Sequence, residues 1–262
     1  MSFAKKSLGQ NFLIDPNIVK KILNFVEIKG KNIIEIGPGK GALTKELIKK
    51  KPKSLILIEK DEDLATNLKL TYANDDTIKI YNNDVLKFDF EKLKENNFIV
   101  FGNLPYNISS QILVKFIKFK IWPPNFNDLI FMFQKELGEK IIGKYLTTNY
   151  NRISILANYR LKYIQKLSVS PNCFSPKPKI NSLVIHFKPK KVFSSIKNIE
   201  NLERVTNIFF SNKRKMINKN IRKILSDKEI KKIRGINLSS RPTELSPEVY
   251  YKITQLFERN KV

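Results

Sequence analysis

Short apolar segments alternate with segments of helical periodicity over most of the first 190 residues of the chain. Five of the apolar segments are predicted strands, at residues 32–36, 54–59, 77–81, 98–101 and 129–133. Such alternation is typical of βαβ units, in which successive strands lie parallel. The strands are apolar throughout rather than at every second residue, which indicates a sheet covered on both faces. The sequence therefore predicts an α/β fold with a Rossmann-like, doubly wound, mostly parallel sheet.

The pattern changes near residue 190. Two further strands are predicted before this point, at residues 163–169 and 183–187. Beyond Pro189 the strand signals disappear, and apolar residues recur at helical spacing. We therefore predict a ligand-binding α/β domain over residues 1–190 and a small helical domain over residues 191–262.

The chain has a single cysteine, Cys173, and a single histidine, His186. It therefore cannot form an internal disulfide or a zinc site of cysteine and histidine ligands. His186 lies in a predicted strand, where a packed or edge-strand side chain is expected rather than a catalytic base. The longest apolar run, residues 129–133, is too short to cross a bilayer, and the N-terminus lacks the apolar segment of a secretory signal. We expect a cytoplasmic protein that uses neither a metal ion nor a membrane.

A glycine-rich loop, Gly37-Pro-Gly-Lys-Gly41, follows the first predicted strand and opens a helix. Glycines there allow a sharp turn and a close approach of the backbone to a ligand. Glu59 ends the next strand, 22 residues after Gly37, where a carboxylate can hold both hydroxyls of a ribose. The spacing departs from the G-x-G-x-x-G dinucleotide pattern. Loop and acid together therefore favour an adenosine-containing ligand other than NAD. Asp84, after the third strand, can accept a hydrogen bond from adenine, although a turn-capping aspartate is the simpler interpretation.

The segment Asn103-Leu-Pro-Tyr106 follows the fourth predicted strand. The exocyclic amine of adenine is a poor nucleophile, because its lone pair is delocalised into the ring. Hydrogen-bond acceptors on its two N–H groups localise that pair, and the Asn103 side-chain oxygen and the Leu104 carbonyl can be those acceptors. Pro105 fixes the backbone, and Tyr106 offers a face on which a base can stack. A proline turn with a core tyrosine is the structural alternative, but it does not explain Asn103, so the motif favours methyl transfer to the N6 atom of adenine.

The chain resembles the ribosomal RNA adenine N6,N6-dimethyltransferases, and within them the bacterial small-subunit (16S) type. Five landmarks in matching order carry the resemblance, at residues 6–13, 35–41, 103–109, 174–182 and 241–245. The resemblance implies a class I methyltransferase fold and S-adenosylmethionine as methyl donor. It also implies dimethylation of N6 of two adjacent adenosines in a hairpin loop near the 3′ end of small-subunit rRNA, with a role in small-subunit biogenesis.

The same resemblance assigns residues to the site. It implies cofactor contacts at Asn11, Leu13, Gly37, Glu59, Asp84 and Asn103. It places the target base on Tyr106, with Phe174 facing it across the pocket. Asn11, Leu13 and Phe174 depend on the resemblance alone. The implied partner is small-subunit rRNA or a pre-30S ribosomal particle, and we expect a monomer.

The net charge of +25, from 49 basic and 24 acidic residues, favours a polyanionic partner. The 41 lysines accompany 27 asparagines and 35 isoleucines, which suggests a compositional bias, so local clustering is the better test. Residues 212–234 contain ten basic and two acidic residues. We interpret this basic cluster as a surface for RNA phosphates. The alternative is a solvated helix face, because apolar residues recur within it. The predicted RNA-binding residues are Lys213, Arg214, Lys215, Lys219, Arg222 and Lys223.

Three positions depart from the family pattern. Asn151 stands where a glycine is expected, and Lys213 and Asn218 stand where the basic box has arginines. Lysine lacks the bidentate phosphate contact of arginine, so the departures bear on RNA affinity and not on methyl transfer.

Two other functions remain open from the sequence. A methyltransferase of large-subunit (23S) rRNA, of the antibiotic-resistance type, shares the loop and the Asn-x-Pro-Tyr motif, but residues 6–13 and 241–245 favour the small-subunit type. A non-catalytic ribosome assembly factor on the same fold is disfavoured by the intact Asn103, Pro105, Tyr106 and Glu59, which are compatible with an assembly role beside catalysis.

Overall fold

The structure is a computed structural model that describes residues 10–191 and 196–260. The part of the first landmark that precedes Gln10, including Lys6, lies outside the described residues. No helix in the described part of the chain combines the length and the apolar character needed to cross a membrane.

Nine strands and ten α-helices make up the regular structure of the described residues. The strands are β1 (Phe12–Leu13), β2 (Asn32–Ile36), β3 (Ser54–Glu59), β4 (Ile78–Asn82), β5 (Phe98–Asn103), β6 (Phe126–Gln134), β7 (Leu161–Val169), β8 (Phe174–Ser175) and β9 (Ser182–Pro189). The helices are α1 (Pro16–Leu23), α2 (Ala42–Lys49), α3 (Glu62–Thr71), α4 (Ser109–Ile117), α5 (Lys135–Ile141), α6 (Arg152–Arg160), α7 (Ile199–Phe210), α8 (Asn218–Ile221), α9 (Asp227–Ile230) and α10 (Pro247–Arg259).

Seven strands form one sheet in the order β4-β3-β2-β5-β6-β9-β7. The neighbours from β4 to β6 pair in parallel, and β9 runs antiparallel to β6. The predicted α/β fold with a mostly parallel, Rossmann-like sheet is therefore confirmed. The strand order reverses between β2 and β5, and ligands of such sheets bind beyond the carboxyl ends of the strands at this switch point.

The observed bounds of β2 and β3 equal those predicted from the apolar pattern, but β6 begins three residues before its predicted start. Asp128 lies inside β6 and is buried, and its Oδ1 atom is 2.6 Å from Nε2 of His186 in β9. The Asp128 carboxylate has a hydrogen-bond partner in Nε2 of the imidazole, so the strand tolerates a carboxylate that an apolar pattern excludes. His186 is 2% exposed on an interior strand, which confirms a packed histidine.

Aspartates cap the starts of α1 and α3, the helices that precede and follow α2 in the sequence. The Asp15 carboxylate accepts from the backbone N–H groups of Asn17 and Ile18 at the start of α1. Asp61 does the same for the first turn of α3, and Oδ2 of Asp61 also accepts a hydrogen bond of 2.9 Å from Gln10. The residues just before β1 are therefore held at the end of β3.

The described residues form two compact units. The first comprises residues 10–138 and Lys162–Pro189, and the second comprises Glu139–Leu161 and residues 190–260 apart from 192–195. One boundary coincides with the sequence change at Pro189. The structure additionally assigns Glu139–Leu161, with α6, to the second unit, whereas the sequence pattern placed this segment in the first domain. The reason is packing, since α6 contacts α7 and α10.

Candidate active site

A cavity opens at the carboxyl ends of β2, β3 and β5, at the predicted switch point. It is bounded by the glycine loop, by the segment around β1 and by the residues that follow β5. The predicted site residues that line it are Asn11, Leu13, Gly37, Glu59, Asp84, Asn103, Leu104, Pro105 and Tyr106. The structure therefore brings all the predicted cofactor residues to one cavity.

The glycine loop forms one wall of the cavity, and its residues Gly37 and Gly39 expose backbone there. Gly37 and Gly39 have φ angles of +65° and +57°, which L side chains rarely adopt. A Cβ atom on Gly39 would lie 2.9 Å from the ring of Phe12, so the second glycine is also required by space. The Gly37 N–H donates to the Ile58 carbonyl at 2.9 Å, which fixes the loop against β3. The resulting wall presents backbone to the cavity.

Glu59 closes β3 and is 6% exposed. Its Oε2 accepts from the Gly39 N–H at 3.0 Å, and its Oε1 accepts from the Asp61 N–H at 2.9 Å. Burial raises the pKa of Glu59, and the two backbone bonds oppose that shift. Each oxygen keeps a second lone pair, so the carboxylate is oriented and can still accept from two vicinal hydroxyls.

Asp84 lies in the loop after β4 and forms an ion pair that the sequence did not predict. Its Oδ2 is 2.9 Å from Nζ of Lys60, and its Oδ1 accepts from the Leu86 N–H. The Lys60 ammonium and the Leu86 bond hold the pKa of Asp84 below its ordinary value. The carboxylate therefore stays ionised and available as an acceptor at the cavity wall.

Asn103 ends β5, and its amide is oriented by the backbone before β1. The Asn103 Nδ2 donates to the Asn11 carbonyl at 2.9 Å. Among the described residues, no group donates to Oδ1 of Asn103 or to the carbonyl of Leu104. Two oxygen acceptors from adjacent residues are therefore available beside the cavity. A turn closed by a bond of 3.1 Å from the Ile108 N–H to the Pro105 carbonyl follows them.

The two predicted aromatic residues have different environments. Tyr106 lines the cavity and is partly exposed, and its hydroxyl lies 2.5 Å from Oγ of Ser182. Phe174 is 3% exposed and packs in the apolar core with Leu13. It is not among the described residues that line the cavity, although it pairs in register with Leu13, which is.

Glu35 is a cavity residue to which the sequence analysis gave no role. It is 1% exposed in β2, and Thr44 of α2 donates to its Oε2 at 2.7 Å. Burial raises the pKa of Glu35 to about 8. The available signal was an acidic residue inside an otherwise apolar strand, directly before the glycine loop.

The predicted RNA-binding residues all lie in the second unit and are exposed. Residues 213–215 form a turn between α7 and α8, and α8 and α9 are four residues each. Arg222 contacts Asp227 and donates to Asn218 at 2.8 Å. The basic cluster is therefore a series of turns and short helices above buried apolar side chains, and not one face of a continuous helix.

Asn151, where the family pattern predicts a glycine, caps α6. Its φ of −163° is extended backbone that any residue adopts, and its Oδ1 accepts from the Ile153 N–H at 2.9 Å. The Ser154 hydroxyl completes the cap with the Asn151 N–H. An asparagine therefore replaces the glycine without strain and adds a helix cap.

The parallel sheet, the glycine loop and the buried carboxylate at the end of β3 define a Rossmann-like class I methyltransferase. The cofactor of this class is S-adenosylmethionine. The cavity fits it, because the backbone at Gly37 and Gly39 permits a close approach of a ligand and the oriented Glu59 carboxylate can accept hydrogen bonds from ribose hydroxyls.

Comparisons with known proteins identify the family within this class of methyltransferases. Residues 1–259 match the model of the family described as ribosomal RNA adenine dimethylase, and the chain belongs to this family. A Pelagibacter ubique protein named ribosomal RNA small subunit methyltransferase A is 45% identical over 259 residues, which cover 97% of each chain. A Malacoplasma penetrans protein of the same name is 39% identical over 256 residues, covering 96% of this chain and 91% of the relative.

Solved structures of related fold agree with the architecture. A dimethyladenosine transferase from Plasmodium falciparum superimposes with a TM-score of 0.78 at 24% identity, covering 96% of this chain and 98% of that one. The 23S rRNA methyltransferase ErmE gives a TM-score of 0.68 at 21% identity, and the match covers 95% of this chain and 100% of that one. At these identities the likeness establishes the fold.

Proposed function

We propose that this enzyme uses S-adenosylmethionine to dimethylate N6 of two adjacent adenosines in a hairpin loop near the 3′ end of small-subunit (16S) rRNA. The observation that carries the proposal is the pair of adjacent oxygen acceptors, Asn103 Oδ1 and the Leu104 carbonyl, beside a cavity with Tyr106 in its wall. An adenine amine has two N–H donors, and this arrangement offers one acceptor to each.

The choice of the small-subunit substrate is supported by relatives that match nearly the whole chain, carry that name and share up to 45% identity. The structural likeness to the 23S enzyme ErmE, at 21% identity, establishes the fold alone. The large-subunit activity and the non-catalytic assembly role are therefore outcomes to be separated by experiment.

The residues around the cofactor bind and orient it. The backbone at Gly37 and Gly39 would hold the amino-acid part of the cofactor, Glu59 would accept from the ribose hydroxyls, and Asp84 would accept from the adenine amine. Asn11 and Leu13 line the same cavity. S-adenosylmethionine, when bound, supplies a methyl group on a positively charged sulfur.

The residues around the substrate activate and hold the target amine. Hydrogen bonds to Asn103 and Leu104 draw the lone pair of N6 out of the ring and aim it at the cofactor. Tyr106 stacks on the base. The methylated nitrogen carries a positive charge and loses its proton readily, so no strong base is required, in keeping with a described cavity wall that has no histidine. The same groups serve the second methyl transfer, because one N–H remains.

Further contacts belong to the proposal as well. Phe174 is proposed to face Tyr106 across the base, on the resemblance and on its strand pairing with Leu13, which lines the cavity. The basic cluster is proposed to hold RNA phosphates, with the second unit as the RNA-binding domain. The substrate is proposed to be small-subunit rRNA or a pre-30S particle, modified by a monomer in the cytoplasm.

The deciding experiment incubates the protein with S-adenosylmethionine carrying a labelled methyl group and with small-subunit particles that lack the modification. We expect label in two adjacent adenosines near the 3′ end of the rRNA. Large-subunit particles serve as the parallel substrate. Label confined to the large-subunit rRNA would establish the alternative enzyme, and absence of label from both would favour the assembly role.

A further inference from the structure

Tyr106 is tied to a strand far away in sequence. Its hydroxyl lies 2.5 Å from Oγ of Ser182, 76 residues later, and both residues belong to the first unit. At the other end of the residue, the Tyr106 carbonyl accepts a hydrogen bond of 3.1 Å from the Ser109 hydroxyl at the start of α4. The ring is therefore attached at its hydroxyl and at its backbone, while the residue lines the cavity.

Ser182 is a rigid attachment point. It is 0% exposed and begins β9, an interior strand of the sheet. Its register partner is Gln134 at the end of β6, and the preceding Asn181 carbonyl accepts from the Lys135 N–H at 2.9 Å. Bonds on both sides of the residue thus hold the Ser182 backbone in the sheet.

A buried hydroxyl at this position lowers the stability of the fold unless it forms a hydrogen bond. Burying one without a partner is unfavourable, and an apolar residue would suit a fully buried strand position. Among the described residues, Tyr106 is the one hydrogen-bond partner of the Ser182 hydroxyl. Removing either hydroxyl therefore removes this hydrogen bond. Because Ser182 is fixed in the sheet, the bond restrains the orientation of the Tyr106 ring.

We propose that Ser182 is a positioning residue for methyl transfer, which sets the plane of the Tyr106 ring so that the stacked adenine presents N6 to Asn103 and Leu104. The inference rests on the proposed function, because it assumes that adenine stacks on Tyr106. A base held in the correct plane reaches the reactive geometry without further ordering, and small misplacements reduce rates strongly. Ser182 acts through Tyr106 and does not contact the substrate.

The test is a double-mutant cycle on the single-turnover rate of methyl transfer, with full-length protein, small-subunit particles and saturating S-adenosylmethionine. The variants are Ser182→Ala, Tyr106→Phe and the double variant. Tyr106→Phe keeps the ring and removes the same hydrogen bond from the other side. Ser154→Ala is the matched control, since Ser154 is also buried and loses a hydrogen bond in a helix cap.

We expect each single variant to lower the rate by about tenfold to a hundredfold, with little change in the affinity for RNA or cofactor. The double variant should be no slower than either single variant, because both remove one interaction. Ser154→Ala should lower the melting temperature and leave the rate unchanged. If Ser182 had only a structural role, Ser182→Ala would behave like this control, with a lower melting temperature and an unchanged rate.

Two results would overturn the proposal: a rate within about twofold of wild type in Tyr106→Phe, or rate reductions that multiply in the double variant. If Ser182→Ala does not fold, the rate of Tyr106→Phe alone tests the proposal, because this variant leaves the buried strand unchanged. Wild-type labelling separates this inference from the proposed function. Label in the expected adenosines with unchanged variant rates overturns the positioning role alone, whereas absence of label overturns both.

Discussion

The side chain of Asn103 donates a hydrogen bond of 2.9 Å to the carbonyl of Asn11, 92 residues earlier in the chain. The bond decides which end of the amide faces the cavity. With Nδ2 engaged, Oδ1 is the atom available to a substrate, and an oxygen is what the N–H group of adenine requires. The segment before β1 therefore acts on the chemistry of a residue at the end of β5.

We predict that Asn103→Ala nearly abolishes methyl transfer, by about a hundredfold to a thousandfold, because the acceptor that localises the N6 lone pair is removed. RNA binding should change little, since interactions with phosphates supply most of the affinity. The measurement is turnover at saturating S-adenosylmethionine, since Asn103 also lines the cofactor cavity. Asn127→Ala, at an exposed position of β6, is the control. Near-normal turnover in Asn103→Ala would contradict the proposed role.

We predict that Glu59→Ala weakens the binding of S-adenosylmethionine by about tenfold to a hundredfold, since two ribose hydroxyls lose a charged acceptor. The change also frees the N–H groups of Gly39 and Asp61, so a melting curve should accompany the titration calorimetry. Glu62→Ala, at an exposed position in the first turn of α3, is the matched control. An unchanged dissociation constant in Glu59→Ala would remove this residue from the site.

We predict that changing Lys213, Arg214 and Lys215 together to alanine flattens the salt dependence of RNA binding. The slope of log affinity against log salt should fall by about one for each phosphate that the variant no longer binds. Cofactor affinity should not change, and turnover should fall at low RNA concentration and recover at high RNA. The control replaces Lys49, Lys50 and Lys53, which are also exposed, and so removes the same charge from the first unit.

An unchanged salt slope in the variant of the basic cluster would mean that these side chains are merely solvated. The RNA surface would then have to be sought around the loop of residues 175–179 of the first unit and around Lys5 and Lys6. These two lysines lie outside the described residues. Comparison of the two triple variants at several salt concentrations distinguishes these outcomes.

We predict that Glu35 makes the cofactor-free protein less stable as the pH rises. Its pKa is raised to about 8 in the folded state, against an ordinary value of 4.5, so the folded state holds the proton more tightly than the unfolded chain. The free energy of unfolding should therefore fall between about pH 5 and pH 8, relative to that of Glu35→Gln, and the difference should level off above that range. Denaturant titrations of both proteins across this range are the measurement. A difference that is independent of pH would contradict the raised pKa.

Much of the site follows from the sequence, because its residues stand directly after strands. In a parallel sheet the carboxyl ends of the strands meet at one edge, so local motifs at those ends become neighbours. The order of strands and polar residues therefore predicted that Gly37, Glu59, Asp84 and Asn103 lie together, and the structure places them around one cavity. The alternation of apolar segments likewise determined the fold class.

The tertiary structure decided the contacts between segments that are distant in sequence. No local pattern indicates that Asn11 orients Asn103, that Ser182 holds Tyr106, or that Lys60 pairs with Asp84. These contacts depend on where strands and loops pack, and a polar residue in a loop or at a strand end has many potential partners.

Packing also decided where hydrophobic residues and segments belong. Phe174 matches the family motif, yet its ring packs in the core beside Leu13. The segment Glu139–Leu161 follows the strands of the first unit in sequence but joins the second, because α6 buries its apolar side chains against α7 and α10. Sequence periodicity identifies that such side chains are buried, but the surface that covers them is fixed only when the whole chain is packed.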